Sequence, residues 1–186
     1  MAVTLAKLKA DVKARDMLSS FDLRVAGDNA DPPWFDTAPL APFEIVATKG
    51  AGCIYALTGP HEHVLFVTSE GQASLIAASL QECLELVIAH PYWEDALRSS
   101  GGDLETLRGL LGEDAGDFED EILDDNPEIE DYRPLLRKRL GLREPADAAQ
   151  SLLHAVTTLG AGINLKVRAS DGHPCEPLIG VSSGTP

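Results

Sequence analysis

Residues 43–90 have the sequence FEIVATKGAGCIYALTGPHEHVLFVTSEGQASLIAASLQECLELVIAH, and this stretch decides the fold of the 186-residue chain. Three runs of five or six mostly apolar residues, at 43–48, 53–57 and 63–68, are separated by short turns that contain glycine. Strands of this length, joined by glycine turns, predict an antiparallel meander. A fourth short strand is predicted at residues 74–77.

A helix follows the strands. Ser79 and Glu82 match a capping box, in which each side chain satisfies a free N–H group at the start of a helix. The residues behind the cap repeat at the spacing of one buried helix face; they are Leu80, Cys83, Leu84, Val87 and Ile88. We therefore predict an α+β fold, with an antiparallel or mixed sheet flanked by helices and a helical C-terminal half.

The segments before the strands are less regular. Residues 4–20 show a helical pattern, with Thr4 as the N-cap and Val12 on the apolar face. Residues 27–42 contain four prolines, which lack the N–H group that a helix requires. This second segment is therefore predicted to be a loop.

The segments after residue 90 predict mostly helix. Residues 90–111 indicate two short helices that are split at Gly101. Residues 128–141 carry acids first and bases last, the order that complements a helix dipole. A further helix is predicted at residues 146–159 and a half-buried strand at residues 163–170.

The charge of the chain is unevenly distributed. The net charge is −15, and residues 113–131 contain eleven carboxylates without a single Lys or Arg, which leaves a balance of only −4 for the rest. Such a surface repels phosphates, so nucleic acid is excluded as a partner and a basic protein is favoured. The predicted partner-binding residues are Glu119, Asp120, Glu121, Asp124 and Asp125. The alternative is a solvated connector between two helices.

The sequence shows no sign of secretion or of a membrane span. The N-terminus scatters Lys and Arg among its apolar residues, whereas a signal peptide needs a continuous apolar stretch. The three cysteines, Cys53, Cys83 and Cys175, are widely spaced and odd in number, which favours a reducing compartment over a disulfide framework. We expect a cytoplasmic protein without membrane contact.

No catalytic motif is recognisable, and no cofactor or metal is expected. Residues 50–52, Gly-Ala-Gly, lead into a strand rather than into the helix of a phosphate-binding loop, so a hairpin turn is predicted. His61 and His63 could share a strand face, but a zinc site needs a third convergent ligand. A Ser-His-Asp or Cys-His arrangement that only the fold assembles stays open. We predict a binding protein rather than an enzyme.

The opening stretch also resembles a known family. A strand with a G-x-G turn, a third strand with an E-G turn, and a helix that begins S-L-x-E are similar to the SUKH superfamily, the Smi/Knr cell-wall regulators and their bacterial immunity-protein relatives. The matching residues are Gly50, Gly52, Glu70, Gly71, Ser79, Leu80 and Glu82. The length and the 44% hydrophobic content predict a single domain, residues 1–186. The resemblance implies a SUKH-like core at about 42–90 within it, and an acidic, helical extension follows at about 91–186.

The resemblance also implies a function. Members of the immunity-protein group bind and neutralise toxins, often nucleases or deaminases, and such a toxin has the cationic surface that the acidic segment would fit. Our first hypothesis is therefore an immunity-type inhibitor. The alternative is a small-ligand-binding or regulatory scaffold protein that uses a groove near Trp34 and Tyr55.

Overall fold

The computed structural model describes residues 3–27, 33–38, 43–59, 61–162 and 166–180. The strands are β1 (Arg24–Val25), β2 (Phe35–Ala38), β3 (Phe43–Lys49), β4 (Cys53–Thr58), β5 (His63–Val67), β6 (Ala73–Ala77) and β7 (Lys166–Ala169). The helices are α1 (Leu5–Ala10), α2 (Val12–Ser19), α3 (Leu80–Ala89), α4 (Trp93–Ser100), α5 (Leu104–Leu110), α6 (Gly116–Asp125), α7 (Ile129–Leu140), α8 (Ala148–His154) and the single turn α9 (Gly160–Gly162). The predicted α+β class, with its helical C-terminal half, is confirmed.

The predicted meander forms the centre of the molecule. Five strands pair antiparallel in the order β1-β3-β4-β5-β6, so β3 to β6 are sequential neighbours. The turn between β5 and β6 contains Gly71, which has a φ of +86°. Glycine adopts such a φ without steric cost because it has no Cβ atom. Short turns of this kind let each strand pair with the one before it.

Both faces of this sheet are covered, which explains why its strands are apolar runs rather than alternating ones. All residues of β4 and β5 are buried. Tyr55 and Phe66 point into the main core, where Phe66 meets Trp93 of α4 at a ring distance of 5.0 Å. Ile54 and Leu65 point the other way, into a smaller core that β2 and β7 help to close. A strand buried on both faces has no solvent side to make polar.

Helix α3 forms as the capping box predicts. The Ser79 hydroxyl accepts a hydrogen bond from the Glu82 N–H at 3.2 Å, and the Glu82 carboxylate accepts one from the Ala78 N–H at 3.0 Å. The return bond therefore reaches one residue further than a standard box. Leu84 and Val87 are fully buried against the sheet, as predicted.

The N-terminal prediction is only partly right. Thr4 does cap the first helix, but the helix ends at Ala10, and Asp11 begins a second one by accepting a hydrogen bond from the Ala14 N–H at 3.1 Å. Val12 was expected on the apolar face and is instead 56% exposed. The break at Asp11 rotates α2 relative to α1, and this rotation turns Val12 outward.

The prediction of a loop at residues 27–42 is wrong for residues 35–38. Residues 35–38 form β2, which pairs antiparallel with β7 and makes a second sheet of two strands. The side chain of Phe35 is buried in the smaller core, and burial of a large aromatic ring outweighs the neighbouring prolines. Strand β7 lies within the predicted strand 163–170, of which residues 163–165 lie outside the described residues.

The C-terminal half follows the predicted order of helices. Gly101 and Gly102 separate α4 from α5, with φ values of +58° and +88° that favour glycine. Helix α8 begins at the Asp147 cap and passes into a π-helical stretch over Ala155–Leu159. Two of the most C-terminal described residues, Leu178 and Ile179, are buried in the main core.

Candidate functional site

The predicted partner-binding segment is an ordered amphipathic helix, α6. Its apolar residues Phe118, Ile122 and Leu123 pack against the main core. The opposite side is exposed and consists of carboxylates at the spacing i, i+3, i+4, i+7 and i+8; they are Asp117, Asp120, Glu121, Asp124 and Asp125. No lysine or arginine lies on this helix. We call these five residues the acidic face.

An aromatic stack holds α6 in place. The ring of Phe118 lies parallel to that of Tyr92, with 5.8 Å between the centroids and 6° between the planes. Tyr92 precedes α4 and is itself buried. The acidic face is therefore mounted on the core rather than on a free loop, which rigidifies the positions of its carboxylates.

Glu119 differs from the other four predicted residues. Its carboxylate forms an ion pair with Arg133 of α7 at 2.5 Å, and the Glu119 side chain is only 23% exposed. The same guanidinium donates through Nε to the Ile88 carbonyl oxygen at 3.1 Å, at the end of α3. The structure thus brings Asp120, Glu121, Asp124 and Asp125 together on one surface and assigns Glu119 to an internal contact between three helices.

The C-terminal part of the acidic face is electrostatically unfavourable for its own helix. Asp124 and Asp125 occupy the last turn of α6, where the helix dipole places partial negative charge, and that turn has no basic residue. A carboxylate there costs roughly 0.3–1 kcal/mol in an exposed position. Neither aspartate has an ion-pair partner within the described residues. Asp124 and Asp125 therefore do not stabilise the fold.

A polar layer lies beneath α6. Burial lowers the pKa of His90, and the positive charge of Arg133 adds to the effect. Burial raises the pKa of Tyr92 to about 12, and the negative charge of Glu119 contributes. His90 Nδ1 lies 3.4 Å from the Tyr92 hydroxyl. At neutral pH this layer thus contains a neutral imidazole and a neutral phenol, with the charges confined to the Glu119–Arg133 pair.

The groove predicted near Trp34 and Tyr55 is wrong. Tyr55 is buried in the main core, and burial raises the pKa of its hydroxyl well above the ordinary value. Trp34 packs with Phe35 against the smaller core, on the other face of the sheet. Because Tyr55 and Trp34 lie on opposite sides of the sheet, the two rings cannot line one groove. The prediction failed because the sequence did not show that β4 is buried on both faces.

The turn residues that carry the family resemblance have structural contacts. Asp22 accepts a hydrogen bond from the Gly50 N–H at 3.0 Å, and a Cβ atom at position 50 would lie 2.9 Å from that carboxylate oxygen. Beside this turn, Lys49 and Arg98 both pair with the buried carboxylate of Glu94, at 2.8 and 2.9 Å. Sequence analysis missed this triad. The i, i+4 spacing of Glu94 and Arg98 could have indicated their pair on a helix, but Lys49 meets them only after the chain folds.

Metal-binding and cysteine chemistry find no geometric support in the described residues. No three His, Cys, Asp or Glu side chains converge there in a way that could hold a metal ion. His63 is buried at the start of β5, with Nδ1 at 3.0 Å from the Ala78 carbonyl oxygen. All three cysteines are free, and burial raises the pKa of Cys83 to about 12, which keeps it a thiol.

Comparisons with protein-family models, with curated proteins and with solved structures find no match to this chain. The SUKH resemblance therefore stays a prediction. Among the described helices, none has the length and the apolar composition required to cross a bilayer.

Proposed function

We propose that this protein is a non-enzymatic, immunity-type inhibitor that docks a cationic protein through the acidic face of α6. The observation that carries the proposal is the composition of that face, which consists only of carboxylates and lies on a helix anchored to the core. An external cation would explain Asp124 and Asp125, which lie at the negative end of the α6 dipole and form no ion pair within the described residues. The proposed place of action is the cytoplasm, where free cysteines persist.

The physical role of the face is to mimic a nucleic-acid backbone. A nuclease or nucleic-acid deaminase carries a groove of Lys and Arg for phosphates, and a row of carboxylates on one helix can occupy that groove. Charge complementarity of this kind accelerates the encounter and fixes the orientation of the complex more than it adds affinity. Docking would also neutralise Asp124 and Asp125 at the negative end of the α6 dipole.

The experiment begins with capture of the binding partner from cells of the source organism and an assay of the captured protein for nuclease and deaminase activity. We expect the wild-type protein to inhibit that activity. Stopped-flow association is then measured at two salt concentrations, because the Debye length falls from about 10 Å at 0.1 M to about 3 Å at 1 M. The rate should fall as the salt concentration rises.

A matched pair of variants isolates the acidic face. The first neutralises it by Asp120→Asn, Glu121→Gln, Asp124→Asn and Asp125→Asn, which leaves the Glu119–Arg133 pair intact. The control neutralises four exposed acids elsewhere in the described chain, at Asp36, Glu62, Glu70 and Glu176. Both variants have the same net charge. We expect the first to associate about tenfold more slowly than wild type, and the control to associate at nearly the wild-type rate. Equal rates for the two variants would refute the proposal.

A further inference from the structure

A second surface, of opposite charge, lies between α2 and α7. The two helices run antiparallel and are joined at both ends. Near one end, Arg139 Nε donates to both carboxylate oxygens of Asp11, at 2.8 and 2.7 Å. Near the other, the Ser20 hydroxyl donates to Glu128 at 2.9 Å. Between these two contacts the helices enclose an open cleft of about 620 Å³.

The cleft is built from two matching stripes. Each helix contributes residues at i, i+3 and i+4, the spacing that places three side chains on one helix face. The lining residues are Lys13, Asp16 and Met17 from α2, and Leu135, Lys138 and Arg139 from α7. Each stripe thus supplies one apolar side chain and at least one cation. The lining of the cleft thus has two apolar side chains, three cations and one carboxylate, that of Asp16.

The apolar residues of this region are unusually exposed. Leu135 is 52% exposed, and Val12, at the start of α2, is 56% exposed. They are the two large hydrophobic side chains of the described chain with substantial exposure. The other large apolar side chains of the described ranges are at least partly covered, so two exposed ones on adjoining helices, Leu135 within the cleft and Val12 outside its lining, indicate a surface suited to a partner.

The charges that line the cleft restrict the kind of partner. Lys13 and Lys138 form no ion pair within the described residues, whereas Arg139 is held by Asp11. Two unpaired lysines beside Met17 and Leu135 outnumber the one lining carboxylate, Asp16, and complement a segment that carries carboxylates next to leucine-like side chains. The surrounding molecule has a net charge of −15, so this cleft is a local exception to the field of the protein.

From this geometry we infer that the α2–α7 cleft binds an acidic amphipathic helix of another protein. An amphipathic helix lays its apolar face into such a groove and places its flanking charges on the rim. The inference does not rest on the function proposed for α6, because it concerns a different surface and a partner of opposite charge.

A second copy of this chain fits the cleft less well. Two copies joined through this surface would bring four unpaired lysines together, and like charges disfavour that contact. The acidic face of α6 would supply carboxylates but no apolar side chain, because Phe118, Ile122 and Leu123 point into the core. An anionic membrane would repel a molecule of this net charge.

The test uses a fluorescent synthetic helix with leucines on one face and glutamates along both borders. A control peptide carries lysines in place of the glutamates. Binding is measured by fluorescence anisotropy with the full-length protein. We expect saturable binding of the glutamate peptide and at least about tenfold weaker binding of the lysine peptide.

Variants assign the binding to the cleft. Lys13→Glu combined with Lys138→Glu should weaken binding at least about tenfold, and Leu135→Ser should weaken it several-fold. The control, Arg24→Glu combined with Lys166→Glu, makes the same change in net charge at exposed sites elsewhere and should retain wild-type affinity. Because all these side chains are exposed or nearly so, the fold should persist, which urea denaturation verifies.

Three results would overturn the inference. The first is equal binding of the two peptides, or no binding of either. The second is a charge-reversed cleft that binds as well as the control variant. The third is concentration-dependent dimerisation in sedimentation velocity that Leu135→Ser abolishes, since the occupant would then be a second copy.

Discussion

The central sheet with α3 and the helix α6 both pack apolar side chains into the main core, yet their polar residues have different explanations. In the sheet region the buried carboxylate of Glu94 has two internal partners, Lys49 and Arg98, although the buried Thr58 hydroxyl has none. In α6 only Glu119 has such a partner, and the outward carboxylates have none in the described chain. The first region is explained by folding alone. The outward carboxylates of α6 are not needed for folding, and this excess of negative charge supports a role in binding.

The largest expected effect tests the folding side of this comparison. Leu84→Ala removes a fully buried side chain from α3 and leaves a cavity under the sheet. We expect a loss of about 2–5 kcal/mol in the free energy of unfolding, measured by urea denaturation. Leu135→Ala, the same change at an exposed site on α7, is the control and should alter stability by less than about 0.5 kcal/mol. Similar losses in both variants would contradict the assigned burial.

A smaller effect should separate the inward and outward carboxylates of α6. Glu119→Gln removes the charge that Arg133 pairs with in a mostly buried position, and we expect a loss of about 1 kcal/mol. Neutralising Asp120, Glu121, Asp124 and Asp125 together should leave the free energy of unfolding unchanged or raise it, because these side chains repel one another and the helix dipole. The comparison would fail if the four outward changes together lowered the free energy of unfolding by more than Glu119→Gln does.

The smallest effect concerns the polar layer beneath α6. The folded protein lowers the pKa of His90 from its ordinary value of 6.5, first through burial and then through Arg133. As the pH falls below 6.5, the unfolded chain takes up a proton before the folded one does, so stability is full above this pH and declines below it. We expect His90→Gln to remove this part of the decline between neutral pH and about pH 5.5. Urea midpoints of both proteins at the two pH values give the measurement, and parallel declines would exclude His90 as the source.

The elements that could be predicted from the sequence are those with a local cause. Strands β3 to β6 were predicted because short apolar runs alternate with glycine turns, and α3 because Ser79 and Glu82 cap it. The acidic segment was recognised from its composition, and four of the five residues named for it do lie on one exposed face. These signals come from residues only a few positions apart, so they can be recognised without knowledge of the fold.

The errors arise where the deciding contact is distant in sequence. Residues 35–38 form a strand because β7, more than 120 positions later, pairs with them. Tyr55 and Trp34 were grouped together because the second covered face of the sheet was not visible in β4. The sequence does not distinguish Glu119 from the neighbouring acids, because its ion-pair partner, Arg133, lies on another helix, α7.

The sequence by itself determined the class of fold, the order of its central strands and the location of the excess negative charge. Each of these follows from local periodicity, turn chemistry or a count of charges, which do not change when the chain folds. Only the tertiary structure decided which carboxylates are free, and that two apolar side chains and two lysines share the α2–α7 cleft. These facts depend on which distant side chains come within a few ångströms of one another, and packing alone sets those distances.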